Sequence, residues 1–159
     1  MNVESMLLWG FVGTVTLTSI MAASQGLGLT RMSIPYLLGT MLTPNRDRAM
    51  LTGFAFHFFN GWVFAGIYAL AFESWGQAIW WHGAGIGLIH SLFVLLAGMN
   101  LIPAMHPRMA SESQGPSPTH QLQPPGYMAL NYGRRTPAVS IVAHIIYGII
   151  LGTFYQLSG

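Results

Sequence analysis

Apolar residues fill four long runs of this chain, at about 5–27, 48–73, 77–102 and 137–157, and polar residues collect between them. Crossing a bilayer core takes roughly 20 helical residues, so each run predicts one transmembrane helix. The first run has a competing reading as a signal peptide, because Ala22-Ala23-Ser24 resembles a cleavage site. Glu4 and the absence of a positive charge ahead of the run argue against it.

The polar stretches carry their own signals. Ile34–Leu42 reads as a short interfacial helix with Pro35 in its first turn. Thr43-Pro44-Asn45-Arg46-Asp47 reads as the cap and first turn of the second span. Residues 73–76 form a tight turn, and the third span is expected to stop at Pro103. Residues 104–136 hold Pro107, Pro116, Pro118, Pro124 and Pro125 and are read as a long loop outside the membrane. That loop is expected to pack over the end of the bundle, with one short turn at 126–132, and the fourth span starts at Pro137.

Two of the runs share a skeleton: His57-x-x-x-Gly61-x-x-x-Ala65-x-x-Tyr68 and His144-x-x-x-Gly148-x-x-x-Gly152-x-x-Tyr155. Steps of four residues lie on one helix face, so each run carries an imidazole, two small residues and a phenol in one stripe. The other two runs have small residues at the same spacing, at Gly10, Thr14, Thr18, Ala22 and Gly26 and at Gly83, Gly87 and Ser91. Gly10 and Gly83 are offset by 73 residues, His57 and His144 by 87. The pattern predicts two parallel two-helix repeats, at about 5–73 and 77–157, within a single domain over 1–159. A pseudo-two-fold axis along the membrane normal would then set His57 opposite His144 at equal depth.

Composition strengthens the membrane reading. Only 6% of residues are charged, against about 25% in a soluble domain, and lysine is absent. Arg31, Arg46 and Arg48 fall between spans one and two, Arg108, Arg134 and Arg135 between spans three and four. These loops share one side, which the arginines mark as cytoplasmic, so both termini are expected outside. Trp75, Trp80, Trp81, Tyr68 and Tyr155 are expected at the outer interface. So few charges leave no basic surface for nucleic acid. Without cysteine there is no disulfide, thiolate metal site or cysteine nucleophile.

Three histidines, His57, His90 and His144, fall inside spans, where an ionisable side chain is costly and marks a candidate site. One reading is that each hydrogen-bonds a nearby group, among Thr14, Thr16, Thr18, Ser19, Ser91 and Tyr147, and fixes helix register. The other is that His57 and His144 bind a ligand, with His90, Gly61, Gly148 and Tyr147 beside it. Paired axial imidazoles suit haem b, the cofactor that best matches, with glycines one turn away leaving room for a flat ring; the alternative is no cofactor. A bare metal at His57 and His144, or a quinone or lipid head group, also fits this donor set. Gly61, Ala65, Gly148, Gly152, Gly83 and Gly87 have a further role as small residues that let membrane helices approach closely. Met99, Met105, His106 and Met109 form a second, copper-like cluster. His82 and His120 are expected in water. No carboxylate lies within a span and no catalytic triad or HExxH pattern is present, so enzyme chemistry has no visible apparatus.

Taken with Pro125-Gly126-Tyr-Met-Ala-Leu-Asn131, the fourth-span stripe resembles that of a family of small bacterial four-span inner-membrane proteins whose second-span histidine segment is echoed in the fourth. The resemblance implies a multi-pass protein of the bacterial inner membrane and supplies no activity. The expected fold is all-α, an integral membrane four-helix bundle. Two functions follow: a structural or accessory subunit of a larger membrane complex, such as an electron-transfer complex, or a binding protein for haem b, metal or quinone. A small dimeric transporter is a third class.

Overall fold

The computed structural model describes residues 1–110, 117 and 122–158. Its regular structure is helical: α1 (Val3–Gly26), α2 (Ile34–Leu42), α3 (Arg46–Trp75), α4 (Trp80–Phe93), α5 (Met99–Met105) and α6 (Thr136–Phe154). A π-helical segment, Val94–Gly98, joins α4 to α5, and a 3-10 turn, Tyr127–Tyr132, precedes α6. Four helical stretches, Val3–Gly26, Arg46–Trp75, Trp80–Met105 and Thr136–Phe154, are long and apolar enough to cross a membrane. The protein is therefore an all-α bundle with four candidate spans.

Polar side chains set the starts. Asn2 accepts from the Ser5 amide at 3.0 Å, Ser33 from Tyr36 at 3.4 Å and Asn45 from Arg48 at 2.9 Å, each satisfying an amide that has no partner within its helix. Gly76 ends α3 in the left-handed region at φ 66°, where a side chain would be strained. The third span does not stop at Pro103. It runs on to Met105, with the π segment just upstream, where Met99 N–H reaches back five residues to Val94. Proline has no N–H to continue an α ladder, and the register of hydrogen bonds shifts in the turns before it.

Two antiparallel seams of small residues hold the spans together. On the first, a Cβ added to Gly10 would lie 2.7 Å from the Ala65 Cβ, and one added to Gly61 would overlap Thr14. On the second, Gly83 and Gly148 each face the other's main chain, Gly87 faces the His144 carbonyl, and a Cβ on Gly152 would lie 3.1 Å from the Gly83 Cα. Close approach of backbones is how helices associate where solvent is as apolar as they are. Tyr147 then joins the pairs: its ring lies where a Gly13 Cβ would come within 2.8 Å. Consecutive helices α3 and α4, by contrast, meet through side chains, with Phe64 and Tyr68 on His90 and Trp75 on His82.

Both ends are tied. At one, Tyr155 donates to Glu73 at 2.7 Å and accepts from the Asn2 amide at 2.9 Å, and Ser158 also donates to Glu73. Burial and this bond to Glu73 push the Tyr155 phenol up to about 12. At the other end Thr30 and Thr136 share a 2.7 Å hydrogen bond, and the Arg31 amide donates to Tyr132 at 2.8 Å. The described part of the 104–136 loop does pack on this end, through fully buried Met109, Pro125 and Ala129. Its turn at Tyr127–Tyr132 places Met128 and Ala129 at positive φ, 49° and 60°.

Candidate functional site

A cavity of about 150 Å³ lies inside the bundle, and all three membrane histidines line it. Leu17 and Met21 of α1, Leu37 of α2, Phe64 of α3, Val94 and Gly98 of the π segment and Met99 supply most of the apolar wall. The floor is α2, which reaches it because Gly39 and Gly53 let α2 lie directly on the α3 backbone: a Cβ on either would overlap Ala49 or Pro35. Placing a π segment on this wall beside His90 opens the helix there, as π-bulges do at many functional sites.

The three imidazoles are held differently. His144 Nδ1 lies 2.7 Å from the Ser140 carbonyl, one turn back on its own helix. A carbonyl only accepts, so in the neutral ring Nδ1 carries the proton. His90 Nδ1 lies 3.3 Å from the Tyr68 hydroxyl, and its ring is stacked on Phe64 at 3.7 Å. His57 Nε2 is buried and has no hydrogen-bond partner among the described residues. The imidazole that His144 touches is His90, edge to face with ring centroids 4.7 Å apart. His57 reaches the same cavity from α3 and also lines a smaller adjoining pocket with Gln25, Pro35 and Phe54.

Several expectations for the site change. The threonine and serine hydroxyls proposed as histidine partners are spent within their own helices: Thr14 on Gly10, Thr16 on Val12, Thr18 on Thr14 and Ser91 on Leu88. In lipid a hydroxyl without water turns to the nearest carbonyl, three or four residues back. Tyr147 donates to the Gly61 carbonyl at 2.7 Å rather than to a histidine. Gly61 and Gly148 leave no space for a flat ring, because Thr14 and the Gly83 main chain fill it. A void of roughly 150 Å³ takes one benzene-sized ring. A tetrapyrrole is several times larger and does not fit.

The copper-like cluster is dispersed. Met99 faces the cavity wall, Met105 is exposed, Met109 is buried in the loop and His106 sits under α2. There His106 Nε2 lies 3.1 Å from the Leu37 carbonyl and 3.2 Å from Thr40, while Nδ1 accepts from the Arg108 amide at 3.1 Å. Burial, with nearby Arg108, holds this imidazole below its usual pKa. His82 is packed between Trp75 and Trp81 with Nδ1 buried and unpartnered, rather than solvated. His120 lies outside the described residues. Among the described residues no three His, Cys, Asp or Glu side chains are grouped to hold a metal ion.

The composition signal found His57, His90 and His144 but not what surrounds them. Tyr68 reads as the phenol of its stripe and Ser140 precedes its stripe by one turn, while Phe64 is not among the stripe's named residues and α2 reads as interfacial, so none of them is marked as part of the site. No family model, curated protein or solved structure matches this chain.

Proposed function

We propose that this chain is a multi-pass membrane protein that binds a small neutral ligand in the histidine-lined cavity of its bundle. One observation carries the reading: His57 lines the cavity, and its buried Nε2 has no partner among the described residues. An unpaired buried polar atom costs about 1–3 kcal/mol, a cost that a bound ligand removes. A purely structural or accessory subunit needs neither the cavity nor this atom.

The surrounding architecture is part of the proposal. The Gly10–Ala65 and Gly83–Gly152 contacts are related by the same offsets, 73 and 87, that relate the repeated stripes, which supports two parallel repeats. All six arginines lie in the two connectors at one end or in the first turn of α3 beside them, which supports a cytoplasmic location for that end and outside termini, as in a bacterial inner membrane.

Organic extraction of the purified chain, followed by mass spectrometry, tests the binding. The native chain should release one small apolar compound in near-stoichiometric amount. Gly98→Phe should release far less, since Gly98 lines the cavity and a Cβ there meets no atom within 4 Å. If native protein and variant yield only the same bulk phospholipid, the reading fails. Co-purification of stoichiometric partner chains, with no extractable compound, would support the accessory-subunit reading instead.

A further inference from the structure

We infer that the cavity is built to receive the hydroxyl of a single aromatic ring, a quinol or related phenol, with His144 Nε2 as the accepting atom. The inference rests on the ligand-binding reading above and names the ligand's chemical class.

Charge is the first filter. Among the described residues no Asp, Glu, Lys or Arg lines the cavity. A charged ligand would enter a low-dielectric interior with no counter-charge, at a cost that neutral imidazoles and thioethers do not repay. Size is the second. A volume of about 150 Å³ matches one six-membered ring, and the Phe64, His90 and Tyr147 rings on its wall suit an aromatic face.

Hydrogen bonding is the third filter and decides the oxidation state. Asn60 on the wall can both donate and accept, so it does not discriminate between oxidation states; several other polar groups on or beside the wall already have partners. Thr14 donates to Gly10 at 2.7 Å and Tyr147 to Gly61 at 2.7 Å, and Tyr68 pairs with His90 Nδ1 at 3.3 Å. His144 gives its Nδ1 proton to the Ser140 carbonyl at 2.7 Å. Its Nε2 therefore keeps a lone pair, and a main-chain carbonyl on a helix fixes that tautomer. The lone pair requires a donor. A quinone offers two carbonyl oxygens, which only accept, and at His144 would set lone pair against lone pair. A quinol or phenol offers O–H. A second ring hydroxyl both donates and accepts, so it matches His57 Nε2 in either tautomer.

Three probes with one ring and one tail separate the possibilities: decylbenzoquinol, decylbenzoquinone and the bulkier dimethyl ether of the quinol. Each is titrated calorimetrically into the full chain in nanodiscs, without oxygen so that the quinol persists. The quinol is expected to bind about tenfold tighter than the other two, the effect of one buried hydrogen bond gained against one left unmade. In His144→Phe the quinol should fall to the quinone's affinity while the quinone is unchanged. A second arm needs no substitution. With ¹⁵N-labelled histidine, the unprotonated Nε2 resonance of His144 should move on adding quinol and stay fixed on adding the ether.

The outcomes separate the two claims. Equal binding of all three probes keeps the cavity as a ligand site but overturns the hydroxyl inference. Tighter quinone binding, or equal weakening of both by His144→Phe, overturns it too. A resonance that answers to Cu(I) or Zn(II) and not to quinol gives the lone pair to a metal. Failure of every probe to bind a folded native chain defeats the ligand-binding reading itself.

Discussion

Tyr147 donates its hydroxyl to the main-chain carbonyl of Gly61 at 2.7 Å, joining α6 to α3 across the interior of the bundle. The Gly61 carbonyl belongs to a helix and already has a partner within it, so the bond adds to a satisfied group. Tyr147→Phe should therefore destabilise the bundle by only ~0.6–2 kcal/mol, the range for hydrogen bonds between membrane helices. Unfolding of the detergent-solubilised chain with rising SDS would measure it. A larger loss would mean that the hydroxyl also holds the Gly13 contact in place.

Two glycines on one helix should respond in opposite ways. Gly83→Ala drives a methyl group into the Gly148 main chain, which cannot move without parting α4 from α6. An overpacking cost of about 1–3 kcal/mol is expected. A Cβ on Gly85 meets nothing within 4 Å, so Gly85→Ala should be neutral or stabilise by up to ~1 kcal/mol through helix propensity. Thermal unfolding of the two variants in one detergent gives the comparison directly.

His106 makes the floor of the site sensitive to acid. Its folded-state pKa is depressed by burial, so its contribution to stability is present above the unfolded value of about 6.5 and declines as pH falls below it. A protonated ring can no longer accept from the Arg108 amide. Protection factors in Ile34–Leu42, which remove the intrinsic base catalysis of exchange, should be lower at pH 5 than at pH 8. The difference should shrink in His106→Gln; an undiminished difference would assign the effect to another group.

The chain has no cysteine, so single cysteines report sidedness cleanly. Gln77→Cys, in the exposed turn after α3, should react with an impermeant maleimide added to intact cells. Leu42→Cys, 65% exposed at the end of α2, should react only after permeabilisation. The reverse pattern would invert the orientation.

Sequence reasoning reached what is local or periodic. Asn45 before an apolar run, Pro35 in the first turn of a short helix and glycines every fourth residue each name their own structural job, and a cap, a helix start and the seams follow. It reached less where several elements meet. The repeated stripe names His57 and His144, which line one cavity, but gives no sign that His90 lies beside His144, where α4 and α6 approach at Gly83 and Gly87. Glycine's small size was taken as room for a cofactor, whereas a facing backbone uses it. The π segment and the place of α2 under the cavity have no periodic signature. Each depends on a neighbour distant in sequence.

The side-chain-only meeting of α3 and α4 has a thermodynamic consequence. Asn60 and Phe64 on one side and His90 and Val94 on the other form that wall of the cavity. On the ligand-binding proposal, a ligand entering through this wall would come from the acyl chains, not from the aqueous phase. Occupancy then depends on how many ligand molecules share the bilayer with each phospholipid. Dissociation constants measured in nanodiscs at different lipid-to-protein ratios should disagree when expressed per litre and coincide when expressed as a mole fraction of lipid.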